Sequence, residues 1–216
     1  MNSPTQHTYD GFIQAYSHFN QKLFNGILPY CMITMQRKQG AYGYFAGDRF
    51  GMRDGGQKTD EIALNPSHFK AQTTEEILST LVHEMAHLWQ HHFGKPARTS
   101  YHNREWAVCM RGIGLIPSDT GQSGGKETGQ KVSHYIVENG KFAKVCAELI
   151  SSGYDLSYIE LWEETSAAKR KKKATSKTKY TCPDCNSNAW AKPAARLICG
   201  DCEVAMKAEE LEEAEA

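Results

Sequence analysis

The chain has 216 residues, 25 basic and 25 acidic side chains, a formal net charge of zero, 40% hydrophobic residues and seven cysteines. No apolar run is long enough to span a bilayer, which excludes a membrane-spanning role and predicts a soluble, cytoplasmic protein. The zero total conceals segregation: Lys169 to Lys173 with Lys177 and Lys179 form a basic run, and Glu209 to Glu215 an acidic tail, so net charge is a poor guide to partners.

The first predicted element is an amphipathic helix from about Thr8 to Phe24, with Phe12, Ile13, Tyr16, Phe19, Leu23 and Phe24 near one face and Gly26 ending it. Short strands follow at Cys31 to Gln36, Tyr42 to Ala46 and Glu61 to Asn65, the last two separated by the Gly-rich segment Gly47 to Gly56. They predict a small antiparallel sheet. An edge strand of such a sheet can hold an extended peptide through backbone hydrogen bonds.

A longer helix comes next. Thr73 with Glu76 reads as a capping box, and Gly94 followed by Pro96 as a stop. At about 100° per residue, Ile77, Leu78, Leu81, Val82, Met85, Leu88 and Trp89 fall in one wide apolar stripe that faces the sheet, with His83 and His87 on the opposite side. Within this helix His83-Glu84-Met85-Ala86-His87 forms an HExxH signature. Residues four apart share a helix face, so both imidazoles reach one metal ion while Glu84 projects toward a water beside it. Chance occurrence in a His-rich helix is the competing reading, since Gln90-His91-His92 follows directly.

A catalytic zinc usually takes three protein ligands and keeps a fourth position open. The third candidate is His102 in Tyr101-His102-Asn103-Arg104-Glu105-Trp106, which follows the loop Gly94 to Ser100 and opens a second short helix. His91 is the alternative, but ligands at three successive i,i+4 positions spread along the axis instead of closing around one ion. His92, on the apolar stripe, is expected to pack; His7, His18, His68 and His134 default to surface or packing roles.

Beyond Pro117, Gly121 to Glu127 superficially resembles a phosphate loop. It fails the Walker pattern, because Thr120 stands where the first Gly belongs and Glu127 where Ser or Thr should be. It reads as a mobile loop, a potential lid beside the metal. Val132 to Val137, the turn Asn139-Gly140 and Lys141 to Val145 read as a hairpin, with a final helix through Ala147 to Ile150. If that hairpin lines the cleft, His134 or Tyr135 is available to polarise a substrate carbonyl, although an alternating strand face explains both residues more simply.

Thr165 to Lys179 lacks apolar periodicity and reads as a flexible linker whose lysines can neutralise phosphates. A merely solvated charge run is the alternative. Cys182-Pro183-Asp184-Cys185 and Cys199-Gly200-Asp201-Cys202 then read as the two knuckles of a zinc ribbon, whose four thiolates close a structural tetrahedral shell. A pair of disulfides would need an oxidising compartment, which the single Cys31, Cys109 and Cys146 and the absence of a secretory leader argue against. Trp190, Lys192 and Arg196 between the knuckles offer a stacking ring and phosphate contacts, unless Trp190 is the ribbon's small core.

The segment Thr80 to Trp106 resembles the core of SprT-like metalloproteases, the group that includes the DNA-protein crosslink protease Spartan. There a third histidine follows the HExxH by a short loop and begins a helix ending in an aromatic, as His102 and Trp106 do here. Phe19 to Pro29 resembles the family's opening helix and L-F-x-G-x-L turn, and the likeness spans about residues 9 to 116. One departure is Asn103, where many members have Gly; Asn also tolerates unusual backbone angles and caps helices. The expected fold is α+β: a small antiparallel sheet packed on an HExxH helix in zincin-like fashion, plus a small C-terminal zinc ribbon. The expected domains are a metalloprotease over 1–164, a linker over 165–179, a ribbon over 180–206 and an acidic tail over 207–216.

Function follows as an expectation: a zinc endopeptidase with Glu84 as the catalytic base, one catalytic zinc at His83, His87 and His102, and one structural zinc at Cys182, Cys185, Cys199 and Cys202. Its substrates would be proteins, with DNA a partner through the linker and ribbon, no membrane, and association with the nucleoid in the cytoplasm. A DNA-binding or regulatory zinc protein without proteolytic activity is the alternative; the carboxylate of Glu84, which a purely structural site does not need, favours catalysis.

Overall fold

The computed structural model describes residues 3–161 and 177–209, and the chain divides into two compact units, Met1–Trp162 and Glu163–Ala216. The basic run Lys169 to Lys173 and nearly all of the acidic tail lie outside the described residues. The architecture is mixed α and β with small sheets. No helix among the described residues is long and apolar enough to cross a membrane.

Helix α1 (Pro4–Leu23) begins four residues earlier than its apolar pattern predicts, because Ser3 caps it by accepting the Gln6 amide and Pro4 occupies the first turn. Phe12, Ala15, Tyr16, Phe19 and Leu23 are buried along one face. Ile13, expected near that face, is 54% exposed, since one step of 100° carries it off the stripe. Asn25 and Gly26 then adopt positive φ, the Gly26 amide closes on the Asn20 carbonyl, and the Asn20 side chain bonds the Leu28 amide and carbonyl.

Strands β1 (Met32–Met35), β2 (Gly43–Gly51) and β3 (Lys58–Leu64) form a sheet of order β1-β3-β2. The pairing of β2 with β3 is antiparallel, but β1 runs parallel to β3, so the expected antiparallel sheet is in fact mixed. The cause is that β3 returns into the middle, where its run Asp60 to Leu64 is buried. Strand β2 also does not stop at Ala46: a bulge between Ala46 and Phe50, with Asp48 at φ 51°, carries it through to Gly51.

A 3-10 turn (Pro66–Ala71) leads into α2 (Thr74–Phe93). Both arms of the capping box are made, and the Gly94 amide closes the helix on Gln90. Ile77, Leu78, Leu81, Val82, Met85 and Leu88 belong to the core, with Trp89 packed at its margin. The opposite side is buried as well, including His83 and Glu84, because α2 is packed by β2 and β3, by α1, and by α3 (Arg104–Gly112) and α4 (Lys141–Ser151).

Strands β4 (Leu115–Ser118) and β5 (Ser133–Ile136) pair antiparallel, so the expected hairpin from Val132 to Val145 is not formed. Residues from Lys141 onward belong to α4, because Phe142, Val145, Cys146 and Leu149 recur at helical spacing and all four are buried. Asn139, at φ 56°, and Gly140, the helix N-cap, turn the chain into that helix instead of into a second strand.

In the second unit β6 (Thr178–Thr181), β7 (Asn188–Ala191) and β8 (Lys207–Ala208) form an antiparallel sheet of order β7-β6-β8. Its buried aromatic is Tyr180, whose hydroxyl donates to the Lys192 carbonyl and accepts the Ala195 amide. Trp190 is 62% exposed and is therefore not the core.

Candidate metal centres

The structure brings His83, His87 and His102 together, each offering a ring nitrogen within 4.8 Å of the others. His83 and His87 do so because they are four apart on α2. His102 is delivered by the loop after Gly94, which is held at both ends by a network that the sequence did not reveal. The buried Gln90 amide donates to Asn103 Oδ1 and to Glu105 Oε2, each at 2.7 Å, and Glu105 Oε2 also accepts the Lys95 amide. A Cβ at Gly94 would lie 2.5 Å from Glu105 Oε2, so a side chain there would displace that carboxylate from the network. Asn103 caps α3 by accepting the Trp106 amide, the role open to it in place of glycine.

The hydrogen bonds fix which nitrogen of each ring is free. Ser79 Oγ donates to the Glu76 carbonyl at 2.8 Å, so it accepts from His134 Nε2–H, also at 2.8 Å. His134 Nδ1 is then unprotonated and accepts from His83 Nδ1–H at 3.1 Å, which leaves His83 Nε2 bare. On the other side, His102 Nδ1–H donates to the Gly129 carbonyl at 3.1 Å, which leaves His102 Nε2 bare. These two bare nitrogens stand 3.3 Å apart. That separation does not suit two lone pairs facing each other, but it matches the edge of a tetrahedron of zinc-nitrogen bonds, about 3.3 Å for bonds of about 2.05 Å.

Electrostatics agree with the geometry. Burial holds His83 well below the ordinary imidazole range and takes His87 down to about 3 and His134 to about 4, while burial also lowers His102 against the Gly129 carbonyl. All four rings are therefore neutral at pH 7, the form that ligates metal. Trp106, fully buried, stacks on His87 with ring centres 5.0 Å apart and meets His102 and His83 edge-on at 4.4 and 4.8 Å. It walls the cluster from the core side.

Glu84 is 5% exposed and lies under β2, where a Cβ on Gly43 would come within 3.3 Å of its Oε1. Burial pushes its carboxyl up to about 8, opposed by Lys38 and by the Phe45 backbone amide. A carboxylate in this position can accept and release a proton near neutral pH. Strand β2 is an edge of its sheet, and its Phe45 amide is the backbone group that meets Glu84.

Several individual residues sit differently from expectation. His92 does not pack on the apolar stripe: it is exposed and bonds Asp60 Oδ2 at 2.6 Å. His91 is not one of the three converging rings, and its Nε2 lies 3.9 Å from Asp60 Oδ1. His134 has both ring nitrogens engaged, by His83 and Ser79, so it fixes the His83 tautomer and is not free to polarise a carbonyl. The segment after Pro117 is pinned internally by reciprocal bonds between Asp119 and Lys126, and Gly129 bonds the His102 backbone in both directions. It is thereby paired to the backbone of the third candidate histidine.

In the second unit Cys182, Cys185, Cys199 and Cys202 converge. Both knuckles fold identically: the Asn186 and Glu203 amides close on the Cys182 and Cys199 carbonyls, and the Cys182 and Cys199 amides bond the Ser187 and Val204 carbonyls. Asn186 and Glu203 take positive φ of 59° and 53° to complete the two turns. Cys185 Sγ and Cys199 Sγ stand 3.7 Å apart, against an edge of about 3.8 Å for a tetrahedron with zinc-sulfur bonds of about 2.3 Å. All seven cysteines are free thiols. Cys31, Cys109 and Cys146 belong to the first unit, where burial pushes each up to about 12. Both donor sets are consistent with zinc.

A sequence model described as the SprT-like family matches residues 12–125, more than half of the chain. A Salmonella typhimurium protein described as an uncharacterized protein in the mucB 3'region is 48% identical over 62 residues, covering 29% of this chain and 84% of that relative.

Proposed function

The chain belongs to the SprT-like family, and from that premise we propose that it is a zinc-dependent endopeptidase acting on protein substrates, those bound or crosslinked to DNA foremost. The observation that carries this reading is the pairing of bare, converging imidazole nitrogens on His83 and His102 with a buried carboxylate, Glu84, that is not one of the ligands.

His83, His87 and His102 would hold the catalytic ion. Zinc bound there supplies Lewis-acid polarisation of the scissile carbonyl and lowers the pKa of water at the site. Glu84 takes a proton from the attacking water at its carboxylate and returns it to the leaving amine. Strand β2 orients the substrate by pairing its free edge with an extended peptide, which favours loose sequence preference because backbone groups make the contacts.

The proposed organisation is a metalloprotease domain over 1–164, a basic linker over 165–179, a zinc ribbon over 180–206 held by Cys182, Cys185, Cys199 and Cys202, and an acidic tail over 207–216. The linker lysines neutralise DNA phosphates, and the exposed ring of Trp190 stacks on a base. Such an enzyme works in the cytoplasm at the nucleoid.

The test is cleavage of a DNA-binding protein, with self-cleavage followed in the same gel, by wild type and Glu84→Gln with and without DNA. Cleavage that requires both Glu84 and DNA is the expected result. Cleavage independent of DNA removes the nucleic-acid role and leaves the peptidase. Activity retained by purified Glu84→Gln, or no cleavage by wild type with zinc bound, overturns the proposal.

A further inference from the structure

Asp60, His91 and His92 converge between β3 and the C-terminal turn of α2, with one ligand atom from each within 4.8 Å of the others. We propose that these three residues form a separate metal site, taking one divalent cation of the zinc class, which ties the C-terminal turn of α2 to the sheet.

The central residue is Asp60. It sits in the buried run of β3 and is 5% exposed, so its carboxylate has been taken out of water and must be compensated. Its Oδ1 accepts the Asp48 amide at 2.8 Å, and among the described residues its ion-pairing partners are the two imidazoles alone. His92 Nε2 reaches Oδ2 at 2.6 Å, but His91 Nε2 stops 3.9 Å from Oδ1, beyond hydrogen-bond range. Two imidazoles are therefore aimed at one buried carboxylate, and only one of them bonds it. A cation among the three atoms engages both rings and neutralises the carboxylate.

The neighbouring backbone is shaped for this. The β2 bulge puts Asp48 at φ 51°, which turns its amide onto Asp60. Position 47 is glycine because a Cβ there would fall 2.6 Å from His91 Cε1 and 2.9 Å from its Nε2. A side chain at 47 would evict the His91 ring. Bulges of this kind re-aim groups at sites, and here one bulge both holds the carboxylate and clears the seat for an imidazole.

The donor set is two nitrogens and one carboxylate, which suits zinc. Separations of 2.6 and 3.9 Å lie on either side of the edge of about 3.3 Å expected for a tetrahedral ion, so small χ rotations bring the atoms to ligating positions. The side chains of His91 and His92 are 33% and 36% exposed, so water can complete the coordination.

Metal binding at Asp60, His91 and His92 is independent of proteolysis. Zinc content of the full chain is measured after dialysis, together with competition against a chromophoric chelator, for wild type, His91→Ala, His92→Gln and His83→Ala. The glutamine at 92 keeps a donor for Asp60, so the fold is retained. His91→Ala and His92→Gln are each expected to lose one equivalent of zinc, and His83→Ala a different one, so that His83→Ala/His92→Gln loses two. Wild-type stoichiometry and an unchanged competition curve in both His91→Ala and His92→Gln overturn the proposal. A second measurement needs no variant: anomalous scattering at the zinc edge from zinc-soaked wild-type crystals should give a peak among Asp60, His91 and His92. Its absence, in crystals that show zinc at the His83 and Cys182 groups, overturns it equally.

Discussion

Replacing His134 by Phe preserves an aromatic ring in the same space and removes both of its hydrogen bonds. His83 Nδ1–H then loses its acceptor at 3.1 Å, and Ser79 Oγ loses the donor at 2.8 Å. Leaving a buried polar group unpaired costs about 1–3 kcal/mol. Much of that cost can be relieved if His83 moves its proton to Nε2, and that tautomer cannot ligate. The penalty therefore falls on metal affinity, and loss of an outer-shell partner of a ligating histidine typically costs about 10- to 100-fold, or about 1.4–2.8 kcal/mol. Zinc competition against a chromophoric chelator should show a loss of this size for His134→Phe. His134→Asn should recover part of it, since its carbonyl can accept from His83 while its amide donates to Ser79. Long-range proton-nitrogen correlation spectra of the metal-free protein should show the His83 proton on Nδ1 in wild type and a mixture in His134→Phe. Zinc affinity of His134→Phe within twofold of wild type would refute the reasoning, and equal affinities for the Asn and Phe variants would refute its directional part.

Three further outcomes are expected. The metal-free protein should lose stability as pH falls below about 6.5: His87 and His134 are held neutral in the fold, at about 3 and about 4, while the unfolded chain protonates near 6.5. Each should contribute on the order of 2 kcal/mol between pH 7 and pH 5, checked by the urea midpoint across that range, with no change between pH 7.5 and 8.5 from these groups. Chelation at pH 8 should open the four ribbon thiols to alkylation while Cys31, Cys109 and Cys146, pushed up to about 12, stay unmodified in the folded first unit. Mass spectrometry would count the adducts, and modification of those three at the ribbon rate would contradict the burial argument. Gly43→Ala should destabilise by about 1–3 kcal/mol through overpacking, because its Cβ would lie 2.8 Å from the Ala63 carbonyl and 3.0 Å from Thr80 Cγ2, which a thermal melt would register.

What could be read from the sequence divides by the range of the interaction that fixes each feature. The capping box of α2, its apolar stripe, the positive-φ turn after α1 and the two cysteine knuckles are each closed by residues a few positions apart, so each leaves a local pattern. Helix α4 was also locally encoded, through Phe142, Val145, Cys146 and Leu149; the dipeptide Asn139-Gly140 concealed it, because the same positive-φ tolerance serves a hairpin or a helix entry. The order β1-β3-β2 was not encoded locally, since an antiparallel hairpin of β2 and β3 leaves open which edge β1 joins.

The site divides in the same way. His83 and His87 are fixed by helix spacing, whereas His102 needs Gln90 and Glu105 to clamp its loop, and nothing in a glutamine's identity announces that its amide is buried between Asn103 and Glu105. His134 is the limiting case: 51 positions from His83, in a short strand whose alternation explains it without any site. Its role depends on a serine one turn before the signature, and only the direction of the Ser79 hydroxyl, donating back to Glu76, makes the relay leave His83 Nε2 bare instead of protonated. Spacing alone thus brings the candidate ligands His83 and His87 together, whereas the groups that orient them act through hydrogen-bond polarity, which exists only once strand and helix have met.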